Sequence, residues 1–114
     1  MLGKENLKWR CLIVNFLDLL EPRYFLPNDD ELIQDQFQEV FEVVFICKGR
    51  VIVGYRLFRE VFYAKIMNKS PIVGDFSALK NKVSEFLYKP TERIDAFAIK
   101  KYNFNMIMKE PLAK

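Results

Sequence analysis

The stretch "EVFEVVFICKGRVIVGYRLF", residues 39–58, decides the fold class of this 114-residue chain. Two runs rich in Val, Ile and Phe flank the dipeptide Lys48-Gly49, and such runs around a glycine are typical of a β-hairpin. Gly49 can supply the positive φ angle that a tight turn needs. The stretch therefore predicts two antiparallel strands joined at Gly49.

Further strand-like segments lie on both sides of this hairpin. "RYFLPNDDE" predicts a short strand that enters a turn at Pro27-Asn28-Asp29, and "REVFYAKIM" and "RIDAFAIKK" predict two more strands. Turn signals recur about every dozen residues, which is typical of a sandwich or a rolled barrel. The pattern predicts a β-roll.

Helical spacing appears before, within and after the strands. The first helix should end at Glu21-Pro22, because the residue before a proline is pushed out of the helical region. Asp75 and Asn103 are favoured cap residues for the second and third helices. We expect a single domain over 1–114, with helices at 7–20, near 75–80 and at 102–109, and with the β-roll at 22–101.

The composition excludes several kinds of function. The chain has no histidine, so Ser-His-Asp and Cys-His catalysis and most zinc sites are excluded. Cys11 and Cys47 lack a CxxC spacing and are interpreted as reduced thiols in a cytosolic core. No apolar run reaches the roughly 20 residues that span a bilayer, so we expect no membrane insertion by this chain itself. No residue pattern indicates an enzyme or a metal site.

Charge is unevenly distributed along the chain. Residues 1–47 hold 4 basic and 9 acidic side chains, a balance of −5, and residues 48–114 hold 14 basic and 6 acidic ones, a balance of +8. This asymmetry indicates an anionic partner, a solvated face or a surface that meets another domain. Arg56, Arg59, Lys65 and Lys69 would form a nucleic-acid surface only beside exposed aromatic rings. We interpret the Phe residues of this region as core instead: Phe37, Phe41, Phe45, Phe58 and Phe62.

The stretch "VGDFSALKNKVSEFLYK", residues 73–89, begins like a cradle for a phosphate group. Gly74 frees the backbone, Asp75 could start a helix, and Phe76 and Leu79 stand at helical spacing. Exposed backbone N–H groups at such a helix start attract anions. The residues that follow decide whether an anion is held there.

Three segments together resemble the cyclic-nucleotide-binding domain: "LLEPRYFLPNDD", "FICKGRVIVGY" and "VGDFSAL". The similarity is greatest to the homology domain behind the pore of voltage-gated potassium and related channels. The resemblance implies a mainly β fold with flanking helices, namely an eight-stranded, jelly-roll-like β-roll (a double-stranded β-helix). It also implies an N-terminal helix, an internal phosphate-cassette helix and C-terminal helices.

The resemblance also implies roles for individual residues. Gly49 and Gly54 match family glycines, and Val73-Gly74-Asp75 matches a Phe-Gly-Glu motif whose carboxylate accepts a hydrogen bond from the ribose 2′-hydroxyl. Leu79 matches the cassette leucine.

The family's phosphate-binding arginine, ten residues past the glycine, is Ser84 here. Glu85 replaces the next small polar residue and Phe86 replaces an alanine. Loss of a hydrogen bond to a charged group costs about 1.5–3 kcal/mol, and Glu85 would repel the phosphate. A register shift could instead bring Lys82 to the phosphate. We interpret the cassette as degenerate, with cAMP and cGMP not favoured as ligands.

The sequence thus predicts a cytosolic regulatory domain of a potassium-type cation channel, on the cytoplasmic face, with other domains or subunits of the channel assembly as partners. One alternative is a true cAMP or cGMP sensor in a channel or a kinase regulatory subunit. Another, less favoured, is a basic module that binds nucleic acid or another anion.

Overall fold

The structure is a computed structural model that describes residues 14, 16–27, 32–67 and 71–109. It contains seven strands within these ranges, and positions 14 and 16–19 belong to a first helix, α1. The strands are β1 Glu21–Phe25, β2 Glu42–Lys48, β3 Val51–Leu57, β4 Glu60–Ile66, β5 Ile72–Val73, β6 Leu87–Pro90 and β7 Ile94–Lys100. The other helices are α2 Asp75–Lys80 and α3 Lys101–Lys109.

Two antiparallel sheets form the body of the domain. One has the strand order β1-β7-β2-β5 and the other the order β4-β3-β6. The resemblance implied eight strands, and the described residues contain seven; the residue pairs Gln34–Tyr88 and Glu39–Val83 form isolated antiparallel bridges. The predicted fold class, mainly β with flanking helices, is confirmed.

The core has two parts, and the second positions α2. Apolar residues of both sheets form the first part, including Val44, Val51 and Ile94. The second part lies under the helices, where fully buried Ala78 of α2 packs with Phe104 of α3 and with three aliphatic side chains: Val40, Val43 and Ile99. Ala78 is the buried residue of α2, so the inner face of this helix packs on the roll through one small side chain.

The hairpin turn at Gly49 is confirmed. Gly49 has a φ angle of +107°, and a Cβ atom there would lie 2.5 Å from the Ile94 side chain. A second hairpin joins β3 to β4 through Phe58 and Arg59, whose φ angles are +52° and +72°. Two-residue turns of this handedness usually carry Asn and Gly, because other side chains are strained there.

The prediction that the Phe residues form core is wrong for four of the five. Phe45 packs edge-on against Phe16, with ring centroids 5.5 Å apart. The other four are exposed: Phe37 by 69%, Phe41 by 71%, Phe58 by 91% and Phe62 by 41%. Phe62 is exposed because it lies in β4, where every residue is exposed, on both faces of the strand. Alternation of side chains along β4 therefore does not indicate a covered face. Phe37 and Phe41 precede β2, outside any strand.

Two other expectations need correction. Cys47 is exposed, at the point where the β2–β7 register shifts, and is not a core thiol; Cys11 lies outside the described residues. Asn103 lies inside α3, which begins at Lys101, and so it does not cap the helix. The predicted turn at 27–29 falls mostly outside the described ranges. Within those ranges no helix is long and apolar enough to cross a membrane.

Candidate functional site

The cassette helix α2 begins directly after a left-handed glycine. Gly74 is the N-cap, with φ +91° and ψ −1°, and no side chain caps the helix. Asp75 is therefore the first helical residue, and the prediction that it caps the helix is wrong. A Cβ atom on residue 74 would lie 2.9 Å from Val40, so glycine is needed here for space as well as for φ.

The main chain of Ser84 is fixed on both sides by the segment before β2. Its N–H donates to the Gln38 carbonyl at 3.0 Å, and its carbonyl accepts from the Phe37 N–H at 2.7 Å. The Ser84 hydroxyl donates to the Phe86 carbonyl at 2.6 Å, and the residue is only 3% exposed. The position where the resemblance places a phosphate-binding arginine thus holds a buried serine whose hydroxyl is already bonded.

An open pocket of about 110 Å³ lies between the start of α2 and the segment that leads into β6. Pockets that enclose small-molecule ligands usually have about 300–1,000 Å³, so this one is small. It is lined by Gly74, Asp75, Phe76, Ser77, Ser84, Glu85, Phe86 and Tyr88.

Six of the eight residues predicted for the site line this pocket. The two that do not are Leu79 and Lys82. Lys82 is exposed, and its N–H donates to the Ser77 carbonyl at 2.9 Å, where the chain leaves α2. The geometry gives no support to the alternative register in which Lys82 reaches into the site.

Sequence reasoning missed two lining residues, Ser77 and Tyr88. Tyr88 lies inside β6, whereas Phe86 precedes that strand, so strand alternation does not relate the two residues. The signal for Tyr88 was only that it closely follows the predicted site residues Ser84, Glu85 and Phe86 in the sequence. Ser77 stands one position past Phe76 in α2, and nothing in its type marks it.

The electrostatics of the pocket are acidic. Asp75 and Glu85 contribute carboxylates, and the lining includes no lysine or arginine. Among the described residues, neither carboxylate has an ion-pair or hydrogen-bond partner. Burial raises the pKa of Tyr88, and the charges of Asp75 and Glu85 raise it further. The charged side chains of the pocket lining are therefore both carboxylates.

Polar contacts join the far end of α2 to α3. The Asn105 side-chain amide donates to the Ala78 carbonyl at 3.1 Å, and the Lys101 ammonium donates to Asn81 Oδ1 at 2.5 Å. Asn81 is the C-cap of α2, with a left-handed φ of +53°. The C-terminal end of α2 is thus in direct polar contact with α3.

The basic residues proposed for a nucleic-acid surface lie around the β3–β4 hairpin. Arg56 forms an ion pair with Asp35, whereas Arg59 and Lys65 are exposed in the same hairpin as the exposed rings of Phe58 and Phe62. Lys69 lies outside the described residues. Within the described part of the chain, no group of three or more metal-binding side chains occurs.

Comparison with known proteins places the fold. No family model and no curated protein matches the chain. The regulatory subunit of a cAMP-independent protein kinase A from Trypanosoma cruzi, bound to guanosine, superposes with a TM-score of 0.73 at 20% identity, over 83% of this chain and 33% of that one. A cAMP-bound mutant of the corresponding subunit from Trypanosoma brucei superposes with a TM-score of 0.70 at 21% identity, over 80% of this chain and 33% of that one.

A mutant of a cAMP-binding acyltransferase from Mycobacterium smegmatis gives a TM-score of 0.72 at 16% identity, over 89% of this chain and 31% of that one. The chain thus spans about a third of the length of these proteins. At such identities the similarity establishes the fold, which is that of cyclic-nucleotide-binding domains.

Proposed function

We propose that this chain is a regulatory domain whose cassette pocket does not hold cyclic nucleotide strongly. By the resemblance of its hairpin and cassette segments, its parent assembly is a potassium-type cation channel, and it lies on the cytoplasmic face of the membrane. Its partners are other domains or subunits of that channel. The domain itself is not an enzyme.

One observation carries this proposal: the pocket presents carboxylates where a cyclic phosphate would need a cation. Asp75 and Glu85 line it, and Ser84 stands at the arginine position with its hydroxyl bonded to Phe86. A phosphate placed here would lose a charge-assisted pair, worth about 1.5–3 kcal/mol, and would meet repulsion instead.

Regulation by contact, and not by a nucleotide, is supported by the link between α2 and α3. Asn105 and Lys101 of α3 donate hydrogen bonds to Ala78 and to the C-cap Asn81 at the end of α2. A partner that shifts α3 would thereby bias the whole cassette, because a bound partner favours whichever conformation it contacts better.

Calorimetric titration with cAMP and cGMP tests the proposal. We expect no binding heat from the native chain at ligand concentrations up to about 1 mM. A dissociation constant of about 1 mM corresponds to a binding free energy near −4 kcal/mol. Ser84→Arg/Glu85→Thr should gain binding, because the new guanidinium can extend into the pocket that residue 84 lines. Lys82→Ala is the matched control and should leave both results unchanged.

Binding of either nucleotide to the native chain at micromolar concentrations would overturn the proposal and make the domain a cAMP or cGMP sensor. The channel assignment is tested separately, by detection of the native protein in membrane fractions with an antibody against this domain. Recovery only from the fraction without membranes would contradict it.

One observation favours a second candidate, a nucleic-acid-binding module. Phe58 and Phe62 are exposed in the same hairpin as Arg59 and Lys65, and exposed rings beside basic side chains can stack bases. Such binding should weaken steeply as salt is raised. Fluorescence anisotropy with single-stranded DNA at two salt concentrations checks it, with Phe58→Ala/Phe62→Ala as the variant that should lose binding.

A further inference from the structure

The pocket beside α2 combines two carboxylates with three aromatic side chains. Asp75 and Glu85 supply the carboxylates, and Phe76, Phe86 and Tyr88 supply the rings. Phe76 is 59% exposed and Phe86 40%, so both rings are accessible to a ligand. We propose that this pocket binds a single alkylammonium group, carried by a free amine or by a lysine side chain. This inference names the ligand class of the pocket and rests on the proposed function, in which phosphate recognition is absent.

Charge favours an ammonium group over other ligands. Both carboxylates lack partners among the described residues, and an ammonium group can donate to each of them. Aromatic faces attract cations as well, because the ring carries negative charge on its faces. The raised pKa of Tyr88, caused first by burial and then by Asp75 and Glu85, is consistent with a negative potential inside the pocket.

Size favours a single head group over a nucleotide. The pocket of about 110 Å³ is well below the volume of sites that enclose drug-sized ligands. The Ser84 hydroxyl is already bonded to Phe86, so it offers no donor to an anion. An ammonium group is a compact point charge on a flexible stem, and it can enter a shallow pocket without the planar geometry that a guanidinium needs.

The test is an amide chemical-shift titration of the ¹⁵N-labelled chain. The probes are n-butylammonium and Nα-acetyl-lysine amide. Each has an uncharged analogue as its control: 1-butanol and the Nε-acetylated lysine amide. We expect a dissociation constant of about 1 mM for the charged probes, in line with the binding energy that so few atoms can supply. The shifts should be confined to residues 74–77 and 84–88.

Matched variants identify the groups that bind the probe. Glu85→Gln and Phe86→Leu should each weaken binding about tenfold, because one removes a charge and the other an aromatic face. Glu60→Gln, a distant exposed carboxylate on β4, should change nothing. Tighter binding of the lysine amide supports a protein side chain as the natural ligand, and tighter binding of the free amine supports a metabolite.

Equal response to charged and uncharged probes, or no loss of binding in Glu85→Gln, would overturn the inference. Cyclic AMP and cyclic GMP are titrated into the same samples. If neither the nucleotides nor the ammonium probes bind, the proposed function stands and this inference fails. If a nucleotide binds, the proposed function fails, and this inference, which rests on it, fails with it.

Discussion

The Ser84 hydroxyl donates a 2.6 Å hydrogen bond to the carbonyl of Phe86, two residues further along the chain. Both bonded residues line the cassette pocket, and Glu85, which stands between them, lines it as well. The buried serine thus has a structural role at the position where a phosphate-binding side chain was expected.

The first prediction concerns this bond. Ser84→Ala should lower the free energy of unfolding by about 1–2 kcal/mol, because it leaves the Phe86 carbonyl without its partner. Urea denaturation measures the change. Ser77→Ala is the matched control: its hydroxyl contacts the Val83 carbonyl at 3.5 Å in an exposed position, and the expected loss is below about 0.5 kcal/mol. Equal losses in the two variants would show that the Ser84 bond contributes nothing.

The second prediction compares two glycines with positive φ. Gly49→Ala should be destabilised by about 3 kcal/mol or more, because the new methyl group would meet the Arg93 carbonyl and the Ile94 side chain in addition to the φ strain. Gly74→Ala should lose about 1–3 kcal/mol, because its nearest contact, at 2.9 Å, is a Val40 methyl group and the nearest main-chain atom, the Glu42 carbonyl oxygen, lies further away at 3.3 Å. Thermal unfolding of both variants shows which of the two loses more stability. A larger loss in Gly74→Ala would contradict it.

Much of the roll could be predicted from local signals. The hairpin at Gly49 and the helix that follows Gly74 both depend on a glycine in the left-handed region, and both are observed. Apolar runs on either side of Gly49 predicted β2 and β3, since strand propensity and turn chemistry agreed there.

The exposed hairpin could not be predicted, because exposure is a tertiary property. Phe58 and Arg59 form the β3–β4 turn without any residue typical of a turn. The apolar residues of β4 suggest burial, yet every residue of that strand is exposed.

The sequence predicted most residues of the candidate site, but not how they pack. Glu85 and Phe86 were expected at the pocket by alignment to a family motif, and the structure places both there. The burial of Ser84 depends on bonds to Gln38 and Phe37, more than forty residues earlier in the chain, and no local pattern encodes that contact.

The third prediction concerns strain in the β3–β4 turn. Phe58→Asn/Arg59→Gly should raise the free energy of unfolding by about 1 kcal/mol, because Asn and Gly adopt the left-handed region more easily. Phe58→Ala/Arg59→Ala is the matched control, since it removes the same side chains without relieving the strain, and it should give no gain. Urea denaturation separates the two. A gain of equal size in both variants would assign the effect to the exposed side chains.

The fourth prediction follows from the raised pKa of Tyr88. Burial is its first cause, and the charges of Asp75 and Glu85 add to it. The folded chain therefore keeps this proton to a higher pH than the unfolded chain, in which tyrosine titrates near pH 10. As the pH rises above about 10 the unfolded state loses its proton first, so the free energy of unfolding falls through that window.

Glu85→Gln should lower the pKa of Tyr88 and so reduce this loss of stability at high pH. The phenolate absorbance of each variant, after subtraction of the corresponding Tyr88→Phe spectrum, measures the pKa. Glu60→Gln on β4 is the matched control and should leave the Tyr88 titration where it is. An unchanged titration in Glu85→Gln would show that Glu85 does not contribute, and would leave burial and the charge of Asp75 as the causes of the raised Tyr88 pKa. It would also remove the charge of Glu85 as an argument for a cationic ligand in this pocket.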